Sequence, residues 1–219
     1  MTKVNYQYLV GDAATNEVAV IDGCWDPAGI ARKAESLGLK IVRYIATHYH
    51  YDHIGGSMPG TKGRIPGMRE FVDEMALPAN IHGTERSHAL KSCGVRHHER
   101  VEALAEGDRI TLGQVSLRFL HTPGHSPGGM SIVLSENGRE RGIITGDTLF
   151  PGSCGRVDLP GSDKRAMYHS LQQTLSNQPS HLVVWPGHGY STPNSTIGQE
   201  KEVGLLRTIS MQQWMAMMQ

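Results

Sequence analysis

The chain has 219 residues and balanced charge, which limits its class before any motif is considered. Lys plus Arg and Asp plus Glu number 21 each, so the basic surface that nucleic acid requires is not expected. No apolar run reaches the length of a membrane span. The N-terminal stretch lacks the apolar core of a secretory signal, and three cysteines without a Cys-x-x-Cys motif indicate reduced thiols. We therefore expect a cytoplasmic protein, with an organelle as the alternative location. We expect no membrane or nucleic-acid partner.

The first half of the chain alternates predicted strands with predicted helices. Alternating apolar residues and turn signals predict strands at 4–10, 17–21, 40–46 and 79–82. Helices are predicted at 27–37, 66–77 and 84–91, since Pro27 can open the first and Gly94 can end the third. Residues 57–67 are too rich in Gly and Pro for regular structure. We predict that they form a mobile flap.

Strands predominate in the second half, where they are predicted at 109–113, 115–121, 129–135 and 141–147. A helix is predicted over 163–176 with Asp163 as its N-cap, followed by a last strand over 181–185 and a helical tail over about 195–219. This order predicts two sheets packed face to face and flanked by helices. The length fits a single domain.

The densest motif is THYHYDHIGG at 47–56, which directly follows a predicted strand. Imidazole and carboxylate groups ligate zinc, iron(II) and manganese. Alternate residues of an extended segment point to the same side, so His48 and His50 can hold one ion together. Asp52 and His53 lie further along and can reach a second ion. The alternative interpretation is a solvated histidine-rich loop.

Three further polar residues follow predicted strands beside glycine. They are His125 in HTPGHSPGG, Asp147 in IITGDTLF and His188 in VVWPGHGYS. Two ions about 3.5–4 Å apart need more ligands than the first motif supplies. Each of the three is weak evidence alone, but together with the first motif they predict a metal site.

The succession His-x-His-x-Asp-His, PGH, TGD and a second PGH resembles the metallo-β-lactamase superfamily of hydrolases over nearly the whole chain. The resemblance implies one domain over 1–219 with an α/β fold, the four-layer αβ/βα sandwich, and a site along one edge of its two sheets. It implies two divalent ions, zinc or else iron or manganese. One ion would be held by His48, His50, His125 and Asp147, and the other by Asp52, His53, His188 and the shared Asp147.

A second resemblance concerns the subgroup. TGDTLFPGSCGRVDLPGSD and STIGQE are similar to segments of small glyoxalase II-like (hydroxyacylglutathione hydrolase-like) proteins and of persulfide dioxygenases. This resemblance implies cleavage of a thioester, such as S-D-lactoylglutathione, into D-lactate and glutathione by a metal-bridging hydroxide. Asp52 and Asp147 would be the catalytic carboxylates.

Three residues around the implied site carry weaker expectations. Arg156 occupies the place of a glutathione-contacting basic residue in the resembled subgroup, although a surface salt bridge is an equal alternative. Tyr190 is expected to line the substrate pocket. Asp22, at the end of VAVID, is expected to support a ligand histidine or, alternatively, to cap a turn.

Other functions stay open at this level. One is a mononuclear iron persulfide dioxygenase with His48, His125 and Asp147 as a facial triad. Others are a hydrolase of the same superfamily with another substrate, and a non-catalytic protein that kept the fold. In the tail, Met211, Trp214, Met215 and Met218 follow helical spacing. This stripe is expected to pack on the body of the protein or on a second copy in a homo-oligomer.

Overall fold

The computed structural model describes residues 4–58 and 60–218. Its residues fall into two compact units. The N-terminal unit comprises residues 7–105 and 110–116, and the C-terminal unit comprises 4–6, 106–109 and 117–218. No helix within the described residues is long and apolar enough to cross a membrane.

The N-terminal unit contains a five-stranded sheet with helices. Its strands are β1 (Tyr8–Asp12), β2 (Glu17–Ile21), β3 (Lys40–Ile45), β6 (Ala79–His82) and β7 (Val101–Leu104), and a hairpin is formed by β4 (Gly56–Ser57) and β5 (Arg64–Ile65). The helices are α1 (Pro27–Ser36), the short α2 (Tyr51–Ile54) and α3 (Gly83–Cys93), with a π-helical turn at Glu70–Glu74. The sheet order is β1-β2-β3-β6-β7. Only β1 runs antiparallel to its neighbour.

The remaining strands are β8 (Arg109–Leu112), β9 (Val115–His121), β10 (Met130–Glu136), β11 (Arg139–Gly146), β12 (Val183–Pro186) and β13 (Ser195–Thr196). They form a six-stranded sheet in the order β13-β12-β11-β10-β9-β8. The helices are α4 (Lys164–His169), which continues into a π-helical segment at Ser170–Leu175, then α5 (Ile197–Glu202) and α6 (Met211–Met217). Asp163 caps α4 as predicted, because its Oδ1 accepts from the backbone N–H groups of Arg165 and Ala166.

Parallel pairing explains where the polar residues collect. In the N-terminal unit β2 and β3 are parallel, so the residues that follow them meet at one edge of the sheet. Asp22 donates its backbone N–H to Ile45, and Thr47 donates its backbone N–H to the Asp22 carboxylate. In the C-terminal unit β11 and β12 are parallel, and Gly187 donates to Gly146. This pairing brings Asp147 and His188 to one edge.

Several predicted elements differ from the observed ones. The first strand covers Tyr8–Asp12 rather than 4–10, because Val4 and Tyr6 instead bond to the backbone at 187–189. Strand β7 was not predicted. The proposed flap at 57–67 contains the β4–β5 hairpin, so the prediction that it lacks regular structure is wrong; Pro59 lies outside the described residues.

The tail packs on the C-terminal unit. Trp214 is fully buried and donates its indole N–H to the Lys164 carbonyl at 2.7 Å. Met211, Met215 and Met218 pack against the same apolar cluster. The stripe therefore covers the body of the protein, one of the two expected outcomes.

Candidate metal centre

The N-terminal unit brings three histidines of the first motif into contact just after β3. His48 and His53 are buried, and their ring centroids lie 4.1 Å apart. The Nε2 atom of His48 and the Nδ1 atom of His50 lie 3.1 Å apart. Two nitrogens that are each 2.0–2.1 Å from one tetrahedral ion would be about 3.3 Å apart. The spacing of His48 and His50 therefore suits two ligands of the same ion.

Asp22 fixes the protonation of two of these rings. Its Oδ2 atom accepts from the Thr47 hydroxyl at 2.6 Å and from His53 Nδ1 at 2.9 Å. Because the Thr47 hydroxyl gives its proton to Asp22, it accepts the Nδ1 proton of His48 at 3.0 Å. In the neutral rings of His48 and His53 the lone pair is therefore on Nε2, where a metal ion binds.

Asp52 lies on α2, between the pair His48–His50 and His53 in the chain. Its side chain is half-buried, whereas that of His53 is buried. A carboxylate that remains partly open to solvent is placed to contact water or substrate as well as an ion.

The C-terminal unit brings its three candidate ligands together around Asp147. The Oδ2 atom of Asp147 lies 3.4 Å from His125 Nε2 and 3.2 Å from His188 Nε2. All three side chains are buried. One carboxylate oxygen thus lies within 3.4 Å of both imidazole nitrogens.

Backbone groups hold these imidazoles in place. His125 donates its Nδ1 proton to the Arg156 carbonyl at 2.8 Å, since a carbonyl oxygen can only accept. Its Nε2 atom therefore carries the lone pair that faces Asp147. The backbone around His188 pairs with residues 4–6 in a strand-like bridge at Asn5, which fixes the start of the loop after β12.

The two expected substrate residues have different surroundings. Tyr190 is partly exposed and stacks on His188, with ring centroids 5.0 Å apart. Arg156 is largely exposed, and its guanidinium donates two hydrogen bonds to Asp158, at 2.9 and 2.8 Å. This pairing raises the pKa of Arg156 and lowers the pKa of Asp158. The salt bridge that was the alternative interpretation of Arg156 is thus present.

Sequence reasoning missed two supports of the ligands. Thr47 relays hydrogen bonding between Asp22 and His48, and only its position at the start of the motif could have indicated it. The Arg156 carbonyl acts through its backbone, so no residue type in the sequence could have signalled it.

The donor set fits a divalent transition metal. It consists of imidazoles, three of which (His48, His53 and His125) have the lone pair on Nε2, and of carboxylates. These are the mixed nitrogen and oxygen ligands that suit zinc, iron and manganese. The tautomers are set by a carboxylate, a hydroxyl and a carbonyl, as is usual for metal-binding histidines. The chain therefore carries candidate histidine and aspartate groups for metal binding.

Two mixed sheets with metal-type ligands at the ends of parallel strands define an α/β metalloenzyme class. The sequence profile of the Metallo-beta-lactamase superfamily matches residues 3–188. The chain belongs to this superfamily.

Two relatives with curated names are similar to the chain. A cytoplasmic hydroxyacylglutathione hydrolase from Arabidopsis thaliana is 32% identical over 192 residues, which cover 87% of this chain and 66% of that protein. The mitochondrial persulfide dioxygenase ETHE1 from Mus musculus is 27% identical over 216 residues, which cover 97% of this chain and 75% of that protein. The chain thus spans slightly less than two thirds of the length of the plant hydrolase.

Solved structures confirm the predicted fold class. A metallo-beta-lactamase from Staphylococcus aureus superposes with a TM-score of 0.80 at 26% identity, over 99% of this chain and 66% of that chain. TTHA1623, solved in a di-iron-bound form, superposes with a TM-score of 0.67 at 29% identity, over 93% of this chain and 98% of that chain. The fold is that of the metallo-β-lactamases.

Proposed function

We propose that the protein is a binuclear metallohydrolase that cleaves a thioester, as glyoxalase II does with S-D-lactoylglutathione. The observation that carries the proposal is the fixed tautomer of His48, His53 and His125. Each donates its Nδ1 proton to a protein acceptor, so each offers Nε2 to a cation. The similarity to the plant hydroxyacylglutathione hydrolase supports a glutathione thioester as substrate.

The proposed ligands are the histidines and aspartates of the four motifs along the chain. One ion is held by His48, His50, His125 and Asp147, and the other by Asp52, His53, His188 and the shared Asp147. Zinc is proposed first, with iron or manganese as alternatives. A single catalytic domain over residues 1–219 is part of the proposal, supported by the superfamily profile that matches residues 3–188.

The ions would supply Lewis acidity, which lowers the pKa of a water molecule and stabilises negative charge on a carbonyl oxygen. Asp52 accepts a hydrogen bond from the attacking water and orients it toward the thioester carbonyl. The C–S bond then breaks, and the sulfur leaves as a thiolate. Because a simple thiol has a pKa of about 8.5, this leaving group does not require a general acid.

The substrate contacts are part of the same proposal. Tyr190, partly exposed and stacked on His188, provides an aromatic face beside the reacting groups. Arg156 offers a cation for the carboxylates of the thiol, for which it would have to release Asp158. A cytoplasmic location is proposed with the substrate, following the plant relative.

One observation favours a second candidate. The persulfide dioxygenase ETHE1 aligns over more of this chain than the plant hydrolase does. A mononuclear iron enzyme would use His48, His125 and Asp147 as a facial triad and would leave coordination positions open for oxygen.

Metal analysis combined with two assays tests the proposal. The purified protein should contain two ions per chain and cleave S-D-lactoylglutathione within a panel of thioesters. It should consume no oxygen when supplied with glutathione persulfide. A single iron per chain with persulfide-dependent oxygen uptake would establish the dioxygenase instead.

A further inference from the structure

The carbonyl end of α2 is held by side chains from three other elements. An α-helix leaves its last four carbonyl groups without partners in the helix. In α2 the internal hydrogen bonds use the carbonyls of His50 and Tyr51. The carbonyls of residues 52–55 are left over, and these residues include two proposed metal ligands.

Each leftover carbonyl is within reach of a buried donor. The Cys24 thiol, just after β2, donates to the Asp52 carbonyl at 2.9 Å. The Tyr44 hydroxyl, from β3, donates to the His53 carbonyl at 3.1 Å. The Cys93 thiol, at the end of α3, lies 3.5 Å from the Ile54 carbonyl and 3.7 Å from the Gly55 carbonyl.

These donors are sealed from solvent and keep their protons. Cys24 and Cys93 are each 1% exposed, and Tyr44 is fully buried. Burial raises the pKa of the Cys93 thiol to about 12 and also raises the pKa values of Cys24 and Tyr44. A carbonyl oxygen can only accept a hydrogen bond, so a thiol or a phenol that keeps its proton is a suitable partner for it.

We propose that Cys24, Tyr44 and Cys93 are positioning residues that fix the carbonyl end of α2 and thereby aim Asp52 and His53 at the metal site. The inference rests on the proposed function for the metal, but the hydrogen bonds that carry it lie within the N-terminal unit. It assigns the two buried thiols a purpose beyond packing. Supporting partners of metal ligands typically affect metal affinity by about 10- to 100-fold.

Tyr44→Phe is the sharpest variant, because it removes only the hydroxyl and keeps the ring contact with Phe71. Its matched control is Tyr168→Phe. The Tyr168 hydroxyl also donates to a backbone carbonyl, that of Ile209 at 2.9 Å, but this bond belongs to the C-terminal unit, whereas α2 belongs to the N-terminal unit. Both variants lose one phenol–carbonyl hydrogen bond, so both should lower the unfolding temperature of the metal-free protein.

Cys24 allows a rescue experiment. Cys24→Ala removes the donor, whereas Cys24→Ser replaces it with a hydroxyl. The S···O distance is only 2.9 Å, so the shorter C–O bond still leaves the serine oxygen within hydrogen-bond reach of the Asp52 carbonyl. The serine variant should therefore behave like the wild type and the alanine variant should not.

Two readouts separate positioning from general stability. One is zinc affinity by titration of the metal-free protein, and the other is amide hydrogen exchange of Ile54 and Gly55 by NMR, which needs no metal. We expect Tyr44→Phe and Cys24→Ala to weaken zinc binding by about 10- to 100-fold and to speed exchange at both amides. Tyr168→Phe should do neither.

The proposal is overturned if exchange and zinc affinity in Tyr44→Phe and Cys24→Ala match those of Tyr168→Phe. If the wild type binds no zinc, iron or manganese, the proposed function fails. The exchange rates then still decide whether Tyr44 and Cys24 hold α2.

Discussion

Asp147 is the residue through which the ligands of the C-terminal unit are connected. Its Oδ2 atom lies near both His125 Nε2 and His188 Nε2. A negative charge at this point favours a cation beside each imidazole, and it also holds the two rings toward a common centre. The role of a shared ligand follows from this placement within the proposed function.

Asp147→Asn should therefore weaken metal binding by at least about 10-fold, the lower bound for residues that merely support ligands. Thioester turnover should fall with the metal content. Metal analysis after dialysis and a thioester assay measure the two losses. Asp163→Asn is the matched control: asparagine caps helices about as well as aspartate, so metal content should stay at the wild-type level. Full metal retention in Asp147→Asn would contradict the shared role.

Asp22→Asn should impair the site without touching the metal. In the wild type, Oδ2 accepts hydrogen bonds from Thr47 Oγ1 and His53 Nδ1. The amide keeps one oxygen but places an NH2 group, itself a donor, opposite these two donors. Two donors cannot face each other, so His53 would accept the amide proton on Nδ1 and carry its own proton on Nε2. A protonated Nε2 cannot bind a metal ion. We expect zinc affinity to fall by about 10- to 100-fold, as measured by titration.

Asp12→Asn is the control for that variant. Asp12 is also a carboxylate of the N-terminal unit, but its oxygens accept from the backbone N–H groups of Ala14 and Gln114. The Asp12→Asn variant should have a lower free energy of unfolding and an unchanged zinc affinity. Equal zinc affinities for Asp22→Asn and Asp12→Asn would remove the tautomer argument.

The sequence pattern indicates the candidate ligands residue by residue and Asp22 as a support, whereas the other supports are not visible in it. His48, His125, Asp147 and His188 each follow an apolar strand beside polar or glycine residues, and this pattern is visible in the sequence. The groups that orient them include a backbone carbonyl and the threonine at the start of the motif. Such groups depend on how distant segments pair, so the sequence alone does not reveal them.

At the scale of elements, α2 ends in a backbone conformation that only glycine adopts readily. Gly55 has φ 74° and ψ −157°, a region that is restricted to glycine. A Cβ atom there would also lie 2.6 Å from the Ile65 carbonyl oxygen. The short helix can thus turn sharply into β4 only because this position lacks a side chain.

Gly55→Ala should destabilise the protein by about 3 kcal/mol or more, since backbone strain adds to the collision. Zinc affinity should fall as well, because α2 must move. Urea denaturation of the metal-free protein measures the first effect.

Gly94→Ala is the matched control. Gly94 ends α3 in the left-handed conformation, and a Cβ atom there would meet nothing within 4 Å. The Gly94→Ala variant should lower the free energy of unfolding by only about 1–2 kcal/mol and leave zinc affinity unchanged. Equal losses in the two alanine variants would show that α2 tolerates the change.

The turn between β1 and β2 carries a pH-dependent contribution to stability. Hydrogen bonds from the backbone N–H groups of Ala14 and Gln114 lower the pKa of Asp12 below its usual value. The unfolded chain then binds the proton more readily, so the stabilisation is complete above the usual pKa and is lost as the pH falls through the lowered one. The stability difference between wild type and Asp12→Asn should be smaller at about pH 3 than at about pH 7. Chemical denaturation at both pH values checks this, and a constant difference would contradict it.

Elements with strong local signals were predicted well. The second strand and the start of α1 lie where expected, as does the N-cap at Asp163. Strand β7 was missed because Val101–Leu104 is short and has only two buried residues, and the helices at 66–77 and 163–176 contain π-helical stretches that periodicity cannot foresee. The tail is two helices rather than one, since residues 203–210 interrupt it.

At the scale of the whole molecule, the fold class was predictable because four ligand-bearing strand ends recur in a fixed order. That order identified the superfamily, which the profile match confirms. The sheet orders themselves are long-range properties. The parallel pairing of β3 with β6, for example, has no local signature in either segment.

Removing the metal should lower the stability of the molecule as a whole. An ion that binds only the native state adds about 2.7 kcal/mol at a free concentration of about 100 times Kd. A chelator should therefore lower the midpoint of thermal unfolding, and zinc should restore it. Asp147→Asn should show a much smaller shift. An identical midpoint with and without chelator in the wild type would argue against a resident ion.

The two sealed thiols beside α2 have a practical consequence. Thiol reagents attack the thiolate, and burial disfavours that form in Cys24 and Cys93. Both sulfurs therefore become reactive only when the surrounding chain opens. Their alkylation rate therefore measures local unfolding around the first histidine motif. It can be measured in the unsubstituted protein and compared between the metal-free and the zinc-loaded forms.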